Sequence, residues 1–165
     1  METKTNKNVI VVEDDSSIRV VISTALSRAG YNVKSSGTAA GMWRLVESKF
    51  ADVLITDVGL PDGDALDILP KLQKMMPQLK IIVMSARTTL LTAIRAEKKG
   101  AFDYLPKPFD LDELLNLVSK TFVSDTFSMN KNLSIDEYLF IPKVSETNVL
   151  DTKFNSSSKS NGLGR

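Results

Sequence analysis

The amino-acid sequence predicts an α/β protein: a five-stranded, doubly wound parallel sheet followed by a largely disordered C-terminal tail. Three observations carry this reading. From Asn8 to Phe122, short β-branched runs alternate with segments of helical period. Two of those runs, Val9–Val12 and Ile81–Met84, are apolar throughout, as strands covered by helices on both faces require. Beyond Phe122 no period is sustained, and Asn155–Asn161 is almost wholly Ser, Asn and Lys, a linker composition.

The first strand is Val9–Val12. The helix after it carries Ile18, Val21, Ile22, Ala25, Leu26 and Ala29 at the spacing of one apolar stripe, with Ser16 or Ser17 as cap and Gly30 as stop. Tyr31–Lys34 is the second strand, and Thr38 opens the second helix. Asp52–Thr56 is the third strand, followed by a helix opened by Asp62 or Asp64. Pro70 falls in that helical stretch, removes a backbone donor, and either bends the helix or sits near its first turn. Lys80–Met84 is the fourth strand, with a helix from Thr88 to Gly100. Phe102–Leu105 is the fifth, and Asp110 opens a last helix with its stripe at Leu111, Leu114, Leu115, Val118 and Phe122. Five such units make a flavodoxin-like sheet of order 2-1-3-4-5. The domain is placed at residues 8–122, with 123–165 a linker or disordered tail; Ile135–Ile141 is the one stretch there apolar enough to form a short docking element.

Composition narrows the chemistry. The 165 residues suit one domain plus an appendage, and 42% hydrophobic with 25% charged is ordinary for a globular protein. Twenty-one basic against 20 acidic residues leave a net charge of +1, which gives no global attraction to nucleic acid or an acidic membrane. With no cysteine there are no disulfides, thiolate metal sites or Cys nucleophiles. With no histidine there are no Ser-His-Asp triads, imidazole ligands or phosphohistidine donors. The polar opening Met1–Asn8 and the lack of any apolar run near ~18 residues point to a cytoplasmic protein with no membrane association.

In an open α/β sheet the working crevice lies at the carboxyl ends of the strands. Glu13-Asp14-Asp15 follow the first strand, Asp57 the third, Ser85-Ala86 the fourth and Lys107-Pro108 the fifth. The predicted order therefore gathers several carboxylates, a hydroxyl and an ammonium at one edge. Charges at single strand ends are usually solvated turns, but like charges gathered together repel and serve no structural need unless a cation sits among them. Few carboxylates with room for water is the magnesium pattern. Lys107 lies between Pro106 and Pro108; X-Pro bonds are where cis peptides occur, and one at Lys107–Pro108 would fix the side chain's direction. A lysine so held can neutralise the acids or grip a phosphoryl oxygen.

These residues, in this order, resemble the receiver domain of bacterial two-component response regulators. The carrying segments are Val11–Asp15, Thr56–Gly63, Met84–Ala86 and Asp103–Phe109. The Gly100–Asp110 run, with Ser27–Tyr31, Trp43-Arg44 and Thr92–Ile94, is most similar to receivers of NtrC-like nitrogen-regulatory transcription factors. The resemblance implies that Asp57 accepts a phosphoryl group from the phosphohistidine of a sensor histidine kinase, which must be another protein. It implies Mg2+ held by Glu13, Asp14, Asp57 and the carbonyl of Gly59; Asp15 extends the acidic run and leaves a one-place alternative in the register. It makes Ser85 and Tyr104 the switch pair and Lys107 the conserved-type lysine. A homodimer through the fourth helix, fifth strand and fifth helix follows, with Arg95, Lys98 and Lys99 facing Asp103, Asp112 and Glu113.

NtrC-like regulators continue into an ATPase domain and a DNA-reading module. No phosphate-loop motif and no basic recognition helix occur in these residues, so no direct nucleic-acid contact is expected of them. Two other readings compete. One is an interaction domain of receiver type that no longer takes phosphate. The other is a phosphatase with an Asp nucleophile, which needs a second Asp where this sequence has Gly59.

Overall fold

The computed structural model describes residues 7–87 and 89–129. The expectations for Thr88 as a cap and for the tail from residue 130 onward, Ile135–Ile141 included, lie outside the described residues. The strands are β1 (Asn8–Val12), β2 (Asn32–Ser36), β3 (Val53–Asp57), the short β4 (Gly59–Leu60) and β5 (Gly63–Asp64), β6 (Lys80–Ser85) and β7 (Asp103–Pro106). The helices are α1 (Ser16–Arg28), α2 (Ala39–Glu47), α3 (Ala65–Met75), α4 (Leu90–Lys98) and α5 (Leu111–Met129). The main sheet is parallel with order β2-β1-β3-β6-β7, the doubly wound arrangement the alternating periods predict.

Side-chain alternation along the central strands builds two cores, one on each face. Ile10, Val12, Leu54, Ile81 and Val83 point to one side and pack with α2, α3 and α4 through Met42, Val46, Leu69, Leu72 and Ala96. Val9, Val11, Ile55, Ile82 and Met84 point to the other, against Ile22 and Leu26 of α1 and Leu114, Leu117 and Val118 of α5. Each large aliphatic side chain buried this fully contributes about 1.5–3 kcal/mol relative to exposure. That is why a run such as Val-Ile-Val-Val needs no polar residue.

Several local expectations are corrected. Asp15, not Ser16 or Ser17, caps α1: its carboxylate accepts from the N–H groups of Ser17 and Ile18 at 2.8 and 3.1 Å. A carboxylate at a helix N-terminus also meets the positive end of the helix dipole, an advantage a hydroxyl lacks. The α1 stripe is only partly used, since Ile22 and Leu26 are buried while Val21 is exposed. Thr38 and Asp64 cap α2 and α3, and α4 begins from Thr89, whose hydroxyl accepts from Thr92. Pro70 stands inside α3 with its ring exposed, beyond the first turn. Gly30 and Gly100, just past the ends of α1 and α4, take φ of 94° and 98°, where a Cβ is disfavoured. No Gly or Pro interrupts α5, which continues past Phe122 to Met129.

Candidate functional site

The carboxyl ends of β1, β3, β6 and β7 lie side by side because those strands are consecutive neighbours in the sheet. Glu13 and Asp14 leave β1, Asp57 ends β3, Ser85 ends β6, and Lys107 follows β7. The frame around them is tied by backbone bonds. Glu13 N–H donates to Ser36 at 3.1 Å, Val58 N–H to Met84 at 3.0 Å, and Lys107 N–H to Ser85 at 2.8 Å. After Asp57 the chain folds into the β4–β5 hairpin, in which Gly59 pairs with Asp64. Asp62 at its tip reaches α2 and accepts from Ala39 and Ala40 N–H at 2.7 and 2.9 Å, so this loop and α2 are held as one piece.

Carboxylate oxygens of Glu13, Asp14 and Asp57 lie within 4.8 Å of one another. Glu13 is buried, at 1% exposure, Asp57 is half-buried and Asp14 exposed, so the cluster opens to solvent on one side. Lys107 Nζ bridges two of the acids, donating to Glu13 Oε2 at 2.6 Å and Asp57 Oδ2 at 3.0 Å. Burial pushes the Glu13 carboxyl above its ordinary range, an effect the Lys107 ammonium offsets only in part. Burial alone would lower Lys107, but its hydrogen bonds to Glu13 and Asp57 outweigh that and hold it above its ordinary value. Asp15 is drawn below its range by the N–H groups of Ile18 and Ser17, which occupy it at the helix cap.

A donor set of hard carboxylate oxygens, with one ligand in water, suits a small divalent cation that keeps several waters. The cluster is compatible with a Mg2+ site. Of the other sequence-predicted residues, Ser85 is buried and its Oγ accepts from Arg87 N–H at 2.9 Å. Tyr104 donates its hydroxyl to the Arg87 carbonyl, so both residues converge on the loop after β6 rather than on the acids. The peptide Lys107–Pro108 is cis. Arg19, which holds the acidic loop, was not singled out by sequence, and Asp62 was read only as an alternative cap for α3, not as the tie to α2. An Arg one helical turn past an acidic run, and an Asp at a hairpin tip facing a helix start, are the only signals they leave.

The family model for the response regulator receiver domain matches residues 9–119. The chain belongs to the response regulator receiver family. Members are signalling phosphoacceptors of two-component systems rather than enzymes. This receiver is 45% identical over 137 residues to the DNA-binding transcriptional regulator NtrC of Bradyrhizobium sp. (strain RP501 Parasponia), covering 83% of this chain and 28% of that protein. It is 48% identical over 118 residues to NtrC of Azospirillum brasilense, covering 72% of this chain and 24% of that one. The receiver thus spans about a quarter of the length of these relatives. Among solved structures it resembles the beryllofluoride-activated NtrC4 receiver domain dimer, with a TM-score of 0.68 and 30% identity over 71% of this chain and 97% of that one. A CheY-like receiver domain protein from Methanospirillum hungatei JF-1 gives 0.71 and 25%, covering 75% and 99%. No helix among the described residues of the receiver is long and apolar enough to cross a membrane.

Proposed function

We propose that Asp57 accepts a phosphoryl group from the phosphohistidine of a partner sensor kinase and that the receiver relays this as a conformational switch. The observation that carries the reading is Asp57 at the end of a central strand, grouped with Glu13 and Asp14 and 3.0 Å from the Lys107 ammonium. An Asp57 carboxylate oxygen attacks phosphorus in line, the P–N bond breaks, and the kinase imidazole leaves with that electron pair and takes a proton. Glu13, Asp14, Asp57 and the Gly59 carbonyl hold magnesium in this reading. When bound, it offsets charge on the phosphoryl oxygens. Lys107 grips one of those oxygens as a point charge, and Ser85 offers its hydroxyl to another.

Phosphorylation adds about −1.5 to −2 of charge beside Ser85. Turning Ser85 Oγ toward the phosphoryl group withdraws it from Arg87 N–H, in the same loop whose carbonyl holds Tyr104. That loop and α4 are the bistable element. Its output face is α4, β7 and α5. A groove of about 850 Å³ between β7 and α5 is lined by Asp103, Asp110, Asp112 and Glu113, while Arg95 and Lys98 stand exposed on α4. Acidic and basic strips side by side suit a two-fold homodimer. Lys99 does not join the basic strip; it pairs with Asp67 of α3 at 2.7 Å. The folded unit runs from residue 8 through the end of α5, past the boundary at 122 that the sequence suggested, with a linker beyond. It acts in the cytoplasm without itself contacting nucleic acid, in NtrC-type control of transcription.

Incubation with MgCl2 and a small-molecule phosphodonor, followed by intact mass, tests this. One added phosphoryl group is expected for the native chain and none for Asp57→Asn. Undiminished labelling of the Asn variant would move the acceptor elsewhere.

A further inference from the structure

Arg19 lies in the first turn of α1 and is half-buried. Its Nη1 donates to two backbone carbonyls, Glu13 at 2.5 Å and Asp14 at 3.2 Å. These are the two consecutive residues whose carboxylates join Asp57 in the acidic cluster. Room for the guanidinium comes from Gly37, in the loop after β2. A Cβ built on Gly37 would stand 2.9 Å from Arg19 Nη1 and 3.6 Å from Cζ. The segment is thus held on its N–H side by the end of β2, through Glu13 N–H and Ser36, and on its carbonyl side by Arg19.

We propose that Arg19, admitted by the bare backbone of Gly37, is the positioning residue for the cation-binding loop. Its guanidinium bonds to main-chain carbonyls, so it acts through the backbone that carries two of the clustered carboxylates. Two adjacent acids facing a third repel one another, so an untethered loop relaxes by moving them apart. Charge-assisted bonds to both carbonyls oppose that relaxation and keep the ligands placed before the cation arrives. A planar guanidinium spans two acceptors from a fixed fork, whereas an ammonium serves as a single point. The inference rests on the reading that Glu13, Asp14 and Asp57 bind a divalent cation.

The test is an amide chemical-shift titration of the full chain with MgCl2, with thermal unfolding of each variant in metal-free buffer alongside. Arg19→Ala is expected to weaken Mg2+ about tenfold, the lower end of what loss of a ligand-orienting partner costs. Arg19→Lys recovers part of that loss. Gly37→Ala, which alters no ligand and no charge, reproduces the weakening by displacing the guanidinium. In an Arg19→Ala background, Gly37→Ala adds almost nothing, because its target is already gone. An unchanged Mg2+ midpoint in Arg19→Ala, or weakening by the two substitutions that adds in full, overturns the proposal. So does a loss of affinity that merely follows the fall in melting temperature across all variants. If instead the native chain shows no saturable Mg2+ response, or Asp57→Asn binds as tightly as native, the cation reading itself fails and this inference falls with it.

Discussion

Replacing Lys107 with Met keeps the length and apolar stem of the side chain and removes only the ammonium. At 2.6 and 3.0 Å the two ion pairs carry gross attractions of about 5–6 kcal/mol each at an effective dielectric near 20. Desolvation of the three groups cancels most of this, so the pairs themselves are no measure of net stability. What decides the outcome is Glu13, at 1% exposure, left with no cation to face. Removing one partner of a buried pair costs roughly 3–5 kcal/mol. Asp57, with its side chain 15% exposed, is partly relieved by water, which favours the lower end, about 3 kcal/mol. That is a large share of the 5–15 kcal/mol typical of a domain.

The pH dependence has a definite sign. Burial raises the Glu13 carboxyl in the folded state, and loss of Lys107 raises it further. A group raised on folding contributes stability below its unfolded pKa and loses it as pH rises through the folded value. The deficit of Lys107→Met is therefore largest near pH 7 and shrinks at a lower pH, as Glu13 takes up a proton. Urea midpoints at the two pH values, with and without MgCl2, make the assay. Magnesium is expected to stabilise the variant more than the native protein, since a divalent charge replaces the missing one. A deficit under about 1 kcal/mol in metal-free buffer, or equal deficits at both pH values, would refute the view that Lys107 neutralises this cluster.

Three further outcomes follow from the geometry. Asp14→Ala should weaken Mg2+ binding far more than Asp15→Ala, which should instead lower helix stability because Asp15 is occupied by Ser17 and Ile18 N–H; calorimetric titration beside circular dichroism separates the two. Asp62 is held below its ordinary range by Ala40 and Ala39 N–H, so its stabilisation is complete above 3.8 and lost as pH falls through the folded value. Asp62→Asn should flatten the acid limb of the melting temperature against pH and leave the limb above pH 7 unchanged. Pro70→Ala restores a helical N–H on the exposed side of α3 and should stabilise by on the order of 1–3 kcal/mol in urea unfolding, with phosphoryl uptake unaffected.

The sheet was legible in the sequence because burial on both faces forces a residue pattern with little freedom. Val9–Val12 and Ile81–Met84 admit no polar residue, and their place in the middle of the sheet follows. The site was legible for the related reason that strand order alone decides which strand ends meet. What stayed hidden depends on competition between neighbours. Asp15, Ser16 and Ser17 all cap helices well, and only the path of the loop awards the position to the carboxylate. The α1 stripe reads as one apolar face, yet only the part at Ile22 and Leu26 is buried, leaving Ile18 and Val21 in water. Arg19 and Asp62 bond to backbone across a loop or far off in sequence, and no periodicity marks such a bond.

The central claim is that Asp57 is the residue that receives the phosphoryl group, and locating the acyl phosphate tests it most directly. Borohydride reduces an aspartyl phosphate to homoserine, which marks the acceptor permanently for peptide mass spectrometry. After exposure to MgCl2 and a small phosphodonor, homoserine is expected at position 57 and nowhere else. Homoserine at position 14, 15, 62 or 64 instead, with Asp57 intact, would contradict the account.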